Sequence, residues 1–451
     1  MAAWGNEVSV GDGSRTRTDV GATTRPSFID VFAGCGGLSL GLKRAGWRGL
    51  FAIEKDPFAF ETLSANFPVG DGPLSYDWPE DIEHKAWNIS ELLESRADVL
   101  AGLADSVDLL AGGPPCQGFS HAGRRRPEDP RNRLFEAYLE LVRVLRPKVV
   151  LLENVRGFTS GFDPNRSEGI GNFADTLKDR LDPDYLTASA IIRASDFGVP
   201  QSRARFFLVG LRRGTGDPER VARFFEDLAA SRDAFLTVRK LPRRPTTWDA
   251  ISDLEVGPNG TIPCPDCKGF EAISYSGPRS EFQIAMRDGH DGRPGDTRLA
   301  RHRSDIRERF AAIIRSANEE GRLNVSISPE TRRLHGLKKM AIRVLDPLAP
   351  APTITSLPDD LLHYSEPRTL TVRENARLQS FPDWFAFKGK YTTGGERRAK
   401  EVPRFTQVAN AVPPLLAEQI GLGLARLLGD EFGRVPLERY ADLAERLPLD
   451  A

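Results

Sequence analysis

Cysteine is scarce in this sequence, and that scarcity limits the setting in which the chain folds. Its 451 residues include only 4 cysteines, at positions 35, 116, 264 and 267. Four are too few for a disulfide framework, so we expect a reducing compartment, the cytoplasm. Long apolar runs are also missing: none approaches the ~20 residues of a membrane-spanning helix, so we expect no membrane segment. Residues 1–26 lack the apolar core of a secretory signal, and we expect a disordered tail there.

The sequence also lacks a surplus of either charge. Its 62 Lys and Arg residues are balanced by 63 Asp and Glu residues, which leaves a net charge of -1. A nearly neutral chain does not attract polyanions as a whole, so any nucleic-acid surface must come from charge segregated to one region. The 40% hydrophobic and 28% charged residues are typical of a soluble globular protein.

What is present is organised around residues 112–120, with the sequence GGPPCQGFS. Apolar residues 107–111 precede them, a pattern that predicts a buried parallel strand ending at a functional loop. Pro114 and Pro115 fix their own φ angles and hold Cys116 on a stiff segment, and a polar, basic loop follows as far as residue 132. A rigid thiol followed by such a loop suits a nucleophile with a lid, although an isolated cysteine is more often a buried structural residue.

A second site is predicted nearer the start of the sequence. Residues 27–33 favour a strand, the glycines of residues 34–37 favour a turn, and an apolar helix pattern follows to residue 42. A glycine turn between strand and helix lets the backbone approach a nucleotide closely. Glu54 ends the next predicted strand, residues 49–53, about 20 residues further on, where an acid is placed to bind ribose hydroxyls. The alternative for Glu54 is a solvated carboxylate at a strand end.

Glu153 follows another apolar segment, residues 148–152, which predicts a strand buried on both faces. Predicted helices at residues 57–67 and 134–145 alternate with the strands, which implies a parallel sheet with right-handed crossovers. The carboxyl ends of its strands, and with them Cys116 and Glu153, would share one edge, where ligands bind in such sheets. A thiol can attack a heterocycle while a neighbouring carboxyl, with a pKa raised by burial, protonates it. Alternatively, Glu153 is a surface acid that caps a helix.

The order of these motifs closely resembles that of the DNA (cytosine-5) methyltransferases over nearly the whole chain. The matching segments are residues 30–37 (DVFAGCGG), 114–117 (PPCQ), 153–155 (ENV), 196–205 (DFGVPQSRAR), 368–382 (RTLTVRENARLQSFP) and 407–414 (QVANAVPP). The resemblance implies an α/β fold: an S-adenosylmethionine-dependent methyltransferase domain, Rossmann-like with a mixed seven-stranded sheet, plus a smaller irregular target-recognition domain. It also implies transfer of a methyl group from S-adenosylmethionine to carbon 5 of cytosine in double-stranded DNA.

The resemblance assigns catalytic roles to four residues. Cys116 would attack carbon 6 of a flipped cytosine, and Glu153 would engage the N3 side of the ring so that carbon 5 becomes nucleophilic. Arg205, and with it Arg203, would hold the base or its phosphate. The residues expected to contact DNA from the loop after Cys116 are Gln117, Ser120, Arg124, Arg125 and Arg126. Three adjacent arginines are more often a solvated loop, but beside a nucleophile phosphate contact is favoured.

S-adenosylmethionine is the cofactor that the resemblance implies. The residues assigned to it are Phe32, against the adenine, and Gly34, Gly36, Glu54, Asn88, Pro115 and Asn410. Two positions depart from the family's pattern. Asn88, in a short strand predicted at residues 87–89, stands where an aspartate is usual, but an amide can still accept a bond from the adenine amino group. Ala409 replaces the usual glycine before Asn410, which costs backbone freedom.

The predicted domain boundaries follow changes in composition. A catalytic and cofactor-binding domain takes residues 27–240, a target-recognition domain 241–400, a return to the catalytic domain 401–430, and a C-terminal extension 431–451. Basic stretches at 301–309 and 332–339 are candidates for contact with phosphates and bases, or are ordinary solvated surface. Cys264 and Cys267 have the spacing of half a zinc site; because a closed site needs four ligands, we expect no metal.

Two helices are predicted late in the chain. Thr371 and Glu374 form a capping box that opens a helix ended by Pro382, and we expect its arginines to be ion-paired rather than catalytic. Pro413 and Pro414 start the other helix, whose residues on one face are Leu416, Ile420, Leu424 and Leu427. This helix would return the chain to the first domain.

Three other functions match parts of the sequence. An RNA cytosine-5 methyltransferase would use the same chemistry, but the long segment 246–400 favours DNA. A non-catalytic DNA-binding protein on the same fold would not need Cys116, Glu153 and Arg205, which are all present. A nicotinamide-dependent oxidoreductase shares the glycine turn but gives no role to Pro114 and Pro115. The expected partner is double-stranded DNA. The role is restriction-modification, with a cognate restriction endonuclease as functional partner, or stand-alone DNA modification without one, and we expect a monomer.

Overall fold

A computed structural model describes residues 25–114, 132–159, 173–394, 397 and 400–429. Its strands are β1 (Ser27–Val31), β2 (Arg48–Ile53), β3 (Leu109–Gly112), β4 (Val149–Val155), β5 (Tyr185–Arg193), β6 (Gln201–Ser202), β7 (Ala204–Arg212), β8 (Thr261–Pro263), β9 (Glu271–Ile273), β10 (Arg343–Val344), β11 (Ala351–Pro352) and β12 (Leu361–Leu362).

Its helices are α1 (Gly37–Arg44), α2 (Pro57–Asn66), α3 (Ile89–Ser95), α4 (Ala97–Gly102), α5 (Asn132–Leu145), α6 (Phe173–Leu181), α7 (Pro218–Ala222), α8 (Phe224–Val238), α9 (Thr247–Ile251), α10 (Val256–Asn259), α11 (Glu281–Arg287), α12 (Ser304–Glu319), α13 (Pro329–Leu334), α14 (Val372–Leu378), α15 (Arg404–Asn410) and α16 (Pro414–Leu428). Short 3-10 segments cover Arg156–Thr159, Ala194–Phe197, Ser252–Leu254 and Pro358–Asp360. In these ranges, the helices are all too short or too polar to cross a membrane.

Six strands of the described ranges form one mixed sheet, in the order β2-β1-β3-β4-β7-β5. β2, β1, β3 and β4 are parallel, while β7 runs antiparallel to both β4 and β5. The predicted mixed sheet is therefore confirmed, with six strands in the described ranges where the resemblance implied seven. Because Val31 pairs with Gly112 and Gly112 with Leu152, the carboxyl ends of β1, β3 and β4 lie side by side.

The central strands form where the sequence is apolar. Every residue of β1 and β3 is buried, as expected for parallel strands covered on both faces. β3 begins at Leu109, two residues later than the predicted strand, and β4 extends through Glu153 to Val155. Glu153 is therefore part of a strand, which excludes the alternative that it caps a helix.

The last helix packs against the first. A Cβ added to Gly41 of α1 would lie 2.3 Å from the Cβ of Ala417 of α16, so the two helices approach closely. The predicted apolar face of α16 is confirmed, since Leu416, Ile420, Leu424 and Leu427 are all buried. The chain thus returns to the sheet at its end.

In the described part of the chain beyond residue 246, the strands are only two or three residues long, so the regular alternation of strands and helices ends there. A second, smaller core forms here, made of Phe310, Ile313, Ile314, Ala317, Ile327, Ile342, Val344 and Leu362. β11 of this half pairs with β6, next to Arg203 in sequence. This pairing fixes the second half of the chain beside the first residues of β7.

Buried ion pairs join α14 to its surroundings. Thr371 and Glu374 form the predicted capping box. Arg377 is fully buried and forms salt bridges with Asp253 (3.2 Å) and Asp383 (2.6 Å). The expectation that the arginines of this helix are ion-paired is confirmed.

One prediction of secondary structure is wrong. Residues 87–89 do not form a strand, because Asn88 caps α3 by accepting a hydrogen bond from the backbone N–H of Ser90 at 3.0 Å. Between residues 212 and 240 the chain forms two helices, α7 and α8, with Arg223 between them.

Candidate active site

The carboxyl ends of β3 and β4 bring Glu153 against the segment that leads to Cys116. A Cβ added to Gly113 would lie 3.0 Å from Oε2 of Glu153, so only glycine fits here without moving the carboxyl group. Asn154 donates its Nδ2–H to the carbonyl oxygen of Pro114 at 3.0 Å. The end of β4 thus fixes the chain two residues before Cys116.

Part of the predicted site lies outside the described residues. This applies to Cys116, Pro115 and the expected DNA contacts Gln117, Ser120, Arg124, Arg125 and Arg126. Of the predicted catalytic residues, the structure describes Glu153, Arg203 and Arg205 and brings all three to the same edge.

Arg205 forms an ion pair with Glu153 across neighbouring strands. β4 and β7 are antiparallel with Val155 opposite Arg205, and Nε of Arg205 lies 3.1 Å from Oε1 of Glu153. Arg203 is almost fully buried, and its Nη2 donates to the carbonyl oxygen of Asn410 at 3.5 Å. Asn410 ends α15, so the C-terminal return of the chain reaches the same edge as Glu153.

The pKa of Glu153 is set by two opposing influences. Burial raises the pKa above its ordinary value because the charged form loses its hydration, while the positive charges of Arg205 and Arg203 oppose the rise. The net direction is upward. Glu153 therefore keeps a proton at a higher pH than an exposed glutamate does, which suits a group that donates a proton to a ring nitrogen.

The glycine turn lies beside these residues, at the end of β1. Phe32 (φ 60°), Gly34 (φ 56°) and Gly36 (φ 93°) all have left-handed backbone conformations, which makes the turn tight. Glu54 accepts from the backbone N–H of Gly34 at 2.9 Å and from that of Asp56 at 2.8 Å. Burial raises the pKa of Glu54, and these two backbone donors oppose the rise.

Asn88 reaches the same region although it is not on a strand. The backbone N–H of Trp87 donates to the carbonyl oxygen of Glu54 at 2.8 Å, which places Asn88 beside the end of β2. Its side chain is exposed, and its amide oxygen caps α3. The structure therefore collects Phe32, Gly34, Gly36, Glu54 and Asn88 around one turn.

Two features of the site were not predicted from the sequence. Asn154 follows the acid directly, yet its hydrogen bond to Pro114 shows only in the structure. Asp30 is buried under the glycine turn and accepts from Oγ of Ser39 at 2.5 Å, and Ser39 in turn accepts from the hydroxyl of Tyr76 at 2.7 Å. A charged residue in an otherwise apolar strand was the available signal for Asp30.

The fold and the site together define a methyltransferase of the Rossmann-like class. A model of the family described as C-5 cytosine-specific DNA methylase matches residues 26–426. The chain therefore belongs to the C-5 cytosine-specific DNA methylases. It is an enzyme that uses S-adenosylmethionine as methyl donor and DNA as substrate.

Individual relatives agree with this assignment. The chain is 33% identical over 414 residues to the type II methyltransferase M.DdeI of Desulfomicrobium norvegicum, with 87% of each chain covered. It is 32% identical over 416 residues to the type II methyltransferase M1.HphI of Haemophilus parahaemolyticus, covering 90% of this chain and 88% of the relative. A crystal structure of an Escherichia coli prophage protein, described as a DNA modification methyltransferase, matches with a TM-score of 0.59 and 26% identity over 89% of this chain and 99% of that one.

The residues at the glycine turn fit S-adenosylmethionine. A Cβ on Gly34 would meet no atom within 4 Å, so the backbone there borders open space that a ligand can fill. Each carboxylate oxygen of Glu54 accepts one backbone bond and keeps capacity for another, which suits a pair of ribose hydroxyls. When bound, S-adenosylmethionine supplies the methyl group.

Proposed function

We propose that this enzyme methylates carbon 5 of a cytosine flipped out of a specific DNA sequence, with Cys116 as the nucleophile. The observation that carries the proposal is the position of Glu153. Its carboxyl oxygen lies directly against Gly113, which precedes Cys116 by three residues. Asn154 supports it by fixing Pro114, two residues before the thiol. Both contacts support the proposal that an acid and a nucleophile act at one point of the sheet edge.

The chemistry that we propose uses both groups on one ring. The thiolate of Cys116 adds to carbon 6, and a sulfur–carbon bond forms. Glu153 holds a proton at N3, so the electron pair of the ring collects on carbon 5, which takes the methyl group. Loss of the proton from carbon 5 and of the thiolate from carbon 6 restores the aromatic ring and frees Cys116.

The two arginines support the acid and the base. Arg205, 3.1 Å from Glu153, orients the carboxyl group, and Arg203, bonded to Asn410, holds the C-terminal return against it. Both guanidinium groups also provide positive charge for the base or its phosphate. Gln117, Ser120 and the three arginines 124–126 would contact DNA from the loop after Cys116.

For the cofactor we propose the residues around the glycine turn. Phe32 packs against the adenine, Glu54 accepts from the ribose hydroxyls, and Asn88 accepts from the adenine amino group. Gly34 and Gly36 let the backbone approach, and Pro115 and Asn410 complete the wall. The tight turn and the open space beside Gly34 support this arrangement.

The direct test is the identity of the methylated nucleoside. Plasmid DNA incubated with the enzyme and S-adenosylmethionine should yield 5-methylcytosine on hydrolysis and mass spectrometry, and Cys116→Ala should yield none. A variant that folds and binds DNA but still methylates at the wild-type rate would contradict Cys116 as nucleophile. N4-methylcytosine as the product would contradict the whole mechanism.

We also propose a restriction-modification role, in the cytoplasm, for a monomer. The relatives described above are named type II methyltransferases, which supports pairing with a restriction endonuclease that cuts the same sequence. DNA from cells that express the enzyme should resist an endonuclease of matching specificity. Light scattering after gel filtration should give the mass of one chain, 49.8 kDa; twice that mass would contradict the monomer.

A further inference from the structure

The positive charge of this chain is concentrated in one segment of its second half. Residues 298–343 contain 12 Lys or Arg and 5 Asp or Glu, a surplus of seven positive charges in a chain whose net charge is -1. Because DNA carries one negative charge per phosphate, the charge of this segment complements the substrate.

The segment has a fixed base. The second core lies under α12, and the backbone N–H of Ile327 donates to the carbonyl oxygen of Ile342 at 3.0 Å. Ser328 caps α13, and Oγ1 of Thr331 donates to Oε1 of Glu320 at 2.9 Å. One side of α13 is thereby held against the end of α12.

The end of α13 and the turn after it expose two large apolar side chains. Leu334 is 79% exposed and Met340 is 66% exposed. The exposed cations Arg333 and Lys338 stand beside them, and neither has a carboxylate within salt-bridge distance among the residues that the structure describes. Gly336, with φ 61°, turns the chain between them.

Two other cations of the segment are already paired with carboxylates. Arg303 pairs with Asp305 at 2.8 Å, and Lys339 pairs with Asp360 at 2.5 Å. Arg333 and Lys338, which have no such partner among the described residues, stand close in sequence to the exposed Leu334 and Met340. This combination matches the major groove of DNA, where phosphates border an edge whose one apolar group is the 5-methyl group of thymine.

We propose that the α13 surface, defined as Arg333, Leu334, Lys338 and Met340, enters the major groove of the target duplex. Leu334 and Met340 contact thymine 5-methyl groups, and Arg333 and Lys338 contact the flanking phosphates. The inference rests on the proposed function and extends it to specificity: the recognised sequence contains at least one A·T pair beside the target cytosine.

The test removes the thymine methyl group from the DNA and, separately, the apolar side chain proposed to contact it from the protein. Bisulfite sequencing of a methylated plasmid first defines the target sequence. Affinity is then measured for duplexes in which each thymine of that sequence is replaced in turn by uracil, which lacks only the methyl group. The wild type should lose about fourfold at one position or more, the effect of one methyl group left in water. At the position where the wild type discriminates, Leu334→Ala or Met340→Ala should bind the thymine duplex and the uracil duplex with equal affinity.

Two controls separate this contact from other effects. Leu348, 83% exposed and outside the α13 surface, is the matched control, and Leu348→Ala should keep the wild-type discrimination. Replacing Arg333 and Lys338 with Gln should flatten the slope of log affinity against log salt by about two. Two results overturn the inference: both apolar variants keep the wild-type discrimination between thymine and uracil, or the target sequence has no A·T pair. In either case, methylation of cytosine by the enzyme leaves the proposed function intact. A wild type that methylates no duplex overturns both.

Discussion

At the scale of single residues, the position of Glu153 near the end of β4 changes the pKa of its carboxyl group and fixes its orientation. Its carboxyl group is buried, which raises its pKa, and an arginine 3.1 Å away keeps its orientation while opposing that rise. A carboxyl in this position holds a proton at a higher pH than an exposed glutamate does, which suits a proton donor to a ring nitrogen.

Replacing Glu153 with Gln should therefore separate chemistry from binding. The amide keeps the size of the side chain but cannot exchange a proton, so we expect the single-turnover rate of methylation to fall about 100-fold or more. The dissociation constant for S-adenosylmethionine should not change. Glu140→Gln, at an exposed position of α5, is the control. A rate within a few-fold of the wild type would remove Glu153 from the proposed mechanism.

Asp30 makes a second residue-scale prediction, on pH. Its burial raises the pKa from 3.8 to about 7, with the charge of Glu54 adding to the rise and Ser39 and Lys43 opposing it. The folded protein keeps a proton that the unfolded chain releases, so the stability linked to Asp30 is lost as pH rises from 3.8 towards about 7. Burial lowers the pKa of Lys43 from 10.5 to about 7, so that residue acts above this window.

The measurement is urea unfolding of the wild type and Asp30→Asn between about pH 5 and about pH 7. The stability of the wild type relative to the variant should fall by on the order of 2 kcal/mol over that interval, because only the wild type must bury a charge. Asp98→Asn, on the exposed side of α4, should show no such change. A difference between wild type and Asp30→Asn that is constant with pH would contradict the assignment.

At the scale of elements, α14 depends on a buried ionic cluster. Replacing Arg377 with Met leaves the carboxylates of Asp253 and Asp383 buried without their shared partner. Loss of one member of a buried pair costs about 3–5 kcal/mol, so we expect a correspondingly lower free energy of unfolding in urea. Arg303→Met, which breaks an exposed pair on α12, should have little effect. Equal effects of the two variants would show that the buried cluster adds nothing.

The contact between α1 and α16 is the second test at this scale. Gly41→Ala would force a methyl group to within 2.3 Å of the side chain of Ala417, so the helices must separate. We expect a loss of about 1–3 kcal/mol in the free energy of unfolding. Gly102→Ala in α4 is the matched control, since a Cβ there meets no atom within 4 Å. A Gly41→Ala protein as stable as the control would contradict the close approach.

At this scale, the sequence predicted those helices and strands whose signal lies in neighbouring residues. The apolar runs of β1 and β4 and the proline pair before α16 are local, and these elements form nearly where expected. The strand predicted at residues 87–89 failed because Asn88 prefers to cap a helix, and its side-chain hydrogen bond outweighs a short apolar pattern. The bond from Asn154 to Pro114 joins residues 40 apart, so no local pattern could indicate it.

At the scale of the whole molecule, the protein has two hydrophobic cores and an uneven distribution of charge along its chain. The large core supports the sheet edge where Glu153, Arg205 and the glycine turn meet. The small core supports a segment rich in Lys and Arg. Composition predicted the change of character after residue 246 but not the second core, because that core draws residues from Phe310 to Leu362 together across several short elements.

The central claim is that Cys116 and Glu153 act together on one flipped cytosine, and a covalent trap tests it most directly. Duplexes with 5-fluorocytosine at the target position are incubated with S-adenosylmethionine, because fluorine cannot leave carbon 5 as a proton does. We predict a methyl-dependent protein–DNA adduct with the wild type, much slower adduct formation with Glu153→Gln, and none with Cys116→Ala. An adduct that persists in Cys116→Ala, or an enzyme that methylates cytosine yet forms no adduct, would contradict the account.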